Sequence, residues 1–185
     1  DSGVATGAMT LLSTVTASSS ATLDFTSGID STYKEYQVHY VDVHPATNNT
    51  NFQVNFRDGS TAYDATKTST AFTAYHNEGG STTSLEYETG NDLAQATGFQ
   101  TIVGGGGTGN GNDESLAGIL HLFDPSSTTF VKHFMNKSHQ YHNSDYAIQH
   151  FVAGYCNTTT AIDGIQFKFA SGNIDAGTFK LYGVS

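Results

Sequence analysis

The sequence predicts an all-β protein, an antiparallel β-sandwich of jelly-roll type. Three observations carry that expectation. Apolar and polar residues alternate in many short stretches, which is the period of a half-buried strand. Thr, Tyr, Phe and Val fit a pleated surface and are plentiful, whereas the strong helix formers Glu, Lys, Arg and Leu are scarce. Clusters of Ser, Thr, Asn, Asp and Gly separate the stretches at strand-like spacing.

In chain order, "MTLLSTVT" and "ATLDFT" are the first two strand candidates. "KEYQVHYVDV" opposes Tyr36, Val38 and Tyr40 to Gln37, His39 and Val41, and stops at the turn-like "HPATNNTN". "NFQVNFR" is the clearest strand, with Phe52, Val54 and Phe56 on one side and Asn51, Gln53, Asn55 and Arg57 on the other. "TAFTAYHN" and "TSLEYE" follow, and a short helical turn is expected near "GNDLAQAT". Then come "GFQTIVG", "LAGILHLF", "TFVKHFM" and "AIQHFVAGY". "IDGIQFKFA" sets Ile165, Phe167 and Phe169 against Gln166 and Lys168, and "GTFKLYGV" sets Phe179 and Leu181 against Lys180 and Tyr182 after the turn signal "SGNIDAG". Short strands joined by polar turns fit a sandwich such as a jelly roll.

The 185 residues suit one domain spanning 1–185, with residues 1–8 as an extended N-terminal arm. Neither a repeat period nor a dividing linker is visible. Only 13% of residues are charged, so Ser, Thr, Asn, Gln and Gly must build much of the surface. The formal net charge of −10 repels nucleic acid and anionic membrane, so neither is an expected partner. No apolar run is long enough to span a bilayer, and nothing resembles a signal peptide. Cys156, the only cysteine, excludes a disulfide framework and a cysteine zinc cluster within one chain, and ends an apolar run as a small buried hydrophobe.

"VGGGGTGNGNDES" places six glycines between residues 104 and 111. A phosphate loop would need Lys and Ser or Thr opening a helix, but Asn112, Asp113 and Glu114 follow. The oxygens of Asn110, Asn112, Asp113 and Glu114 suit calcium, yet the order of an EF-hand is not reproduced. The expectation is a surface hairpin loop serving as slack between "FQTIV" and "LAGILHLF". "KHFMNKSHQYHNSDYAIQH" groups His133, His139, His142 and His150. His139 and His142, three apart in a turn-like stretch, are the candidates for a metal, which would need ligands from neighbouring subunits. His121 alternates with apolar neighbours as a core or interface histidine. Glu86 and Glu88 share one face of a strand, the solvent side, rather than flanking a cleft as glycoside hydrolysis requires. There is no GxSxG elbow and no HExxH helix, so the sequence nominates no catalytic residue and no cofactor.

The segments "ASSSATLDFTSGIDSTYKEYQVHYVDVHPAT", "AYHNE", "LAGILHLFDPSSTTFVKHF", "FVAGY" and "IQFKFASGNIDAGTFKLYGV" resemble a group of small β-rich virion proteins of tailed phages infecting marine bacteria. The resemblance covers nearly the whole chain and consists of strands and turns. It implies a non-enzymatic structural protein on the phage particle surface, a capsid decoration or head-fibre protein or a tail-fibre component. Its partners would then be other virion proteins of the capsid or tail and further copies of itself, a trimer by analogy with phage appendages. Tyr33, Tyr36, Tyr141 and Tyr146 are the interface candidates. In the structural reading a broad sheet face docks on neighbours. In the alternative, loops at one end recognise a host-surface glycan, with a chain that has no Trp for stacking.

Overall fold

A computed structural model describes residues 8–185. The arm expected over residues 1–8 lies, apart from Ala8, outside the described residues. Twelve strands and no helix form among those described. In chain order they are β1 (Met9–Ser20), β2 (Leu23–Phe25), β3 (Glu35–Pro45), β4 (Thr50–Arg57), β5 (Lys67–Asn77) and β6 (Thr83–Tyr87). The second half supplies β7 (Gln100–Thr108), β8 (Leu116–Phe123), β9 (Lys132–His142), β10 (Tyr146–Cys156), β11 (Gly164–Phe169) and β12 (Ile174–Val184).

All strand pairs are antiparallel. From the edge strand β1 the sheet runs through β12, β3 and β8 to β9, where it branches. One branch continues through β10 and β5 to β6. The other crosses to β7 through the single pair Thr108 and His142, then passes through β4 and β11 to β2. The two ends, β1 and β2, approach each other, so the sheet is nearly closed into a barrel. Closure of this kind leaves few open edges for another chain to extend.

The alternation read from the sequence becomes the inside and outside of this sheet. In β9 the even residues from Lys132 to Gln140 are buried and the odd ones from His133 to His139 are exposed. In β3 the period is broken once: Asp42 adopts a φ of 52°, Val41 and Asp42 both stay exposed, and Val43 returns to the core. An extra residue of this sort is a bulge, and it keeps the apolar set facing inward on both sides of the break.

Aromatic rings fill the centre. Phe52 and Phe167 stack at 5.7 Å with their planes 11° apart, and Tyr40 and Phe179 close around them. Rings at this spacing gain contact beyond simple burial. The inward residues of β9 are polar for a different reason. Because β7 and β9 share one ladder pair, the β7 carbonyls need side-chain donors, and β9 supplies them. Ser138 Oγ donates to Ile102 O at 3.0 Å, and Gln140 Nε2 donates to Gly104 O at 3.0 Å. Tyr40 Oη donates to Asn136 Oδ1 at 2.7 Å, which ties β3 into the same network.

Two expectations are corrected here. No helical turn forms near "GNDLAQAT", because Ala96 exchanges backbone hydrogen bonds with Lys67 in both directions and Leu93 O accepts from Ser69 N at 2.9 Å. That segment covers the start of β5, where β6 does not reach. The glycine run is not slack. It belongs to β7, and between the pairs Phe52–Val103 and Thr50–Thr108 it bulges out of register. Gly105, Gly106 and Gly107 have φ values of 65°, 105° and 83°, a region that costs other residues strain. A Cβ on Gly107 would stand 2.6 Å from the backbone of Asn49 and Thr50, so only glycine fits.

Candidate functional site

The bulged glycines face an open cleft of about 550 Å³ lined by residues of β5, β6 and β10. Its acids come from one strand and its continuation: Glu86 lies opposite Thr73 in register, and the N–H of Glu88 extends the pairing to Ala71 O. Residues two apart on a strand share a face, so both carboxylates point into the cleft. Tyr75 Oη donates to Glu86 Oε1 at 2.7 Å, and Thr73 Oγ1 donates to Glu88 Oε1 at 2.8 Å. The bonds from Tyr75 and Ser84 hold Glu86 below the usual carboxylate range. Sequence reasoning placed these glutamates on the solvent side of their strand, and Glu86 is exposed there at the rim of the cleft, while Glu88 is half-buried in it. The inward side is a cleft because β7 bulges across it.

Tyr146 forms the opposite wall, standing edge-on to both Tyr75 and His142 with ring centroids 5.8 Å away in each case. The turn from His142 to Tyr146 brings this about: Asp145, at a φ of 62°, donates its N–H to His142 O. His142 Nδ1 accepts from Ser144 N–H at 3.2 Å, which leaves the ring proton on Nε2. Burial lowers the affinity of His142 for a second proton, and the Gly106 backbone raises it. Nε2 is nonetheless buried without a hydrogen bond of normal geometry among the described residues. Directly behind Gly105 lies His150, whose Cε1 would be 3.5 Å from a Cβ there. It is 2% exposed, its Nε2 has no partner, and burial pulls its pKa down to about 3.

His139 and His142 are not brought together. Three residues apart on β9, they project from opposite faces, His139 outward and His142 into the cleft. Among the described residues no group of three or more His, Cys, Asp or Glu side chains is placed to hold a metal ion. Of the tyrosines expected at an interface, Tyr36 is interior: it is 1% exposed and donates its hydroxyl to Asp30 O at 3.0 Å. Tyr33 is half-buried edge-on against Tyr36 and over Gly183. Tyr146 walls the cleft, and Tyr141 donates to Asp145 Oδ1 at 3.0 Å, a bond that pushes its pKa up to about 12.

Cys156 is buried as expected, and burial drives its thiol up to about 12. Its surroundings were not legible locally. Lys67 and Lys132 stand opposite it on the two neighbouring strands, both with their side chains inside the molecule. Lys67 donates to Asn55 Oδ1 at 2.5 Å and to Ala65 O at 2.6 Å, and burial lowers its pKa to about 8.

The outward side of the same sheet is different in kind. The adjacent strands β8, β9, β10 and β5 contain none of the chain's seventeen acids. Outward from them project His76, His121, His133, His139 and Lys137, interleaved with Phe72, Phe151 and Met135. Phe72 and Phe151, paired across β5 and β10, stack at 4.7 Å. Leu85 and Tyr87 extend the apolar area onto β6, at 72% and 59% exposure. Toward β3 a hydrogen-bonded chain runs from His121 through Glu35 and Gln37 to His39.

Comparison of the chain with protein-family models, with curated proteins and with solved structures finds no match.

Proposed function

We propose that this protein is a non-enzymatic assembly component that docks through the outward face of β8, β9, β10 and β5. The reading extends the resemblance to phage virion proteins: a jelly-roll-like sandwich on the particle surface, decorating the capsid or forming part of a fibre. One observation carries it, the acid-free apolar face on a chain of net charge −10. If the acids were spread evenly, four adjacent strands would hold several of them. Their absence removes the desolvation cost that buried carboxylates would impose at a contact.

The size is appropriate. Four strands of about ten residues cover roughly 19 by 33 Å, or on the order of 600 Å², from strand spacing and rise alone. A stable interface needs about 800 Å² per partner, which flanking residues of β6 and β3 supply. Lys137 gives this face a positive formal charge and the imidazoles add hydrogen-bonding groups, so a surface carrying acids complements it. The remainder of a second copy of this chain, or a virion protein of similar charge, has that character.

Imaging of particles with and without the protein tests this function. Regular copies at symmetric head or tail positions support it. Particles that lack the chain altogether refute it.

A further inference from the structure

Independently of the docking face, which lies on the other side of the same strands, we infer that the cleft between Glu86, Glu88, His142 and Tyr146 binds a neutral polyhydroxylated ligand, one hexopyranose unit of a glycan. The cleft of about 550 Å³ lies within the usual range of small-molecule sites and holds a sugar ring with part of its neighbour. Four properties select this chemistry over others.

The first is the pattern of donors and acceptors. Glu86 and Glu88 keep lone pairs beyond the bonds from Tyr75 and Thr73, and so accept from a ligand. Tyr146, on the same lining, carries a hydroxyl that donates or accepts. A hydroxyl group donates and accepts at once, and a pair of adjacent hydroxyls satisfies both sides.

The second is charge. No Lys or Arg lines the cleft, so two carboxylates repel an anionic sugar or a phosphate. The third is the wall: the half-buried Tyr146 ring, held by Tyr75 and His142, offers an apolar surface for the C–H face of a pyranose. The fourth is the arrangement of the acids. Glu86 and Glu88 stand side by side on one strand, about 6.6 Å apart at their Cα atoms from the strand rise, and do not flank a bond. Hydrolysis needs carboxylates on opposite sides of the scissile linkage, so this geometry holds a sugar without cleaving it.

The test is saturation-transfer NMR on the full chain with four probes: the methyl glycosides of mannose, galactose and glucose, and N-acetylglucosamine. N-acetylneuraminate and ethylenediamine serve as anionic and cationic controls. At least one neutral probe should bind saturably and move the side-chain nitrogen resonances of His142. The double variant Glu86→Gln, Glu88→Gln should weaken that binding at least tenfold at an unchanged melting temperature. If the double variant unfolds, Tyr146→Ala is measured in its place and should lose binding equally. Absence of binding by all four probes overturns the inference. So does binding that survives these substitutions, or a stronger response to either control.

Discussion

Asn136 shows how much depends on single polar side chains inside this sheet. It accepts from Tyr40 Oη and donates to Ser138 Oγ at 3.2 Å, so its loss strands the hydroxyl of a fully buried tyrosine. Asn136→Ala should therefore cost about 1–3 kcal/mol in urea unfolding, the penalty for unpaired buried groups. A change under a few tenths would show that the network carries little. His150 gives a pH signature. Its pKa of about 3 in the fold lies below the ordinary 6.5, so the unfolded chain binds the extra proton between those values. The stabilisation is complete above pH 6.5 and is lost as pH falls toward 3. At about 1.4 kcal/mol per unit, wild type should lose about 3 kcal/mol relative to His150→Gln between pH 7 and pH 4. Parallel acid profiles of the two proteins would contradict the assignment. Sequence made some of this residue-level detail legible. The apolar run ending at Cys156 correctly marks a buried thiol, while the lysines beside it arrive from other strands and leave no local trace. Tyr36 sits on the apolar side of an alternating strand, and that position, rather than its hydroxyl, decides that it is interior.

The strands themselves were the most legible level. Each predicted stretch overlaps one of β1 to β12, because alternation with polar interruptions is what a half-buried antiparallel sheet requires. The glycine run was misread because glycine lowers strand propensity and marks loops in general. Here the three-dimensional constraint is the opposite: the backbone of β7 must pass close to Asn49 and Thr50 and turn toward β9, which only residues without Cβ allow. Deleting residues 104–111 should therefore abolish cooperative folding, read by the loss of a single thermal transition in circular dichroism. A deletion variant that melts like wild type would restore the description as slack. The 89–99 segment carries the same lesson. Ala96 forms a bridge to Lys67 because the start of β5 needs a hydrogen-bonding neighbour, a demand set by β5 and not by the segment's own composition.

At the scale of the molecule, the two proposed surfaces are opposite sides of one stretch of sheet. Neither was legible in the sequence, since both depend on which strands become neighbours. The order β8, β9, β10, β5 gathers the acid-free segments 67–77, 116–123, 132–142 and 146–156 into one patch, and no local window shows it. The inward side gathers Glu86 and Glu88 with His142, more than fifty residues away in sequence. Spacing alone grouped His139 with His142, and the two-residue period of a strand separates them. Rebinding of the purified chain to particles stripped of it tests docking through the outward face most directly. Wild type should return at regular positions, while Phe72→Glu, Met135→Glu, at an unchanged melting temperature, should fail to rebind. Equal occupancy by the double variant would show that the outward face is not the contact.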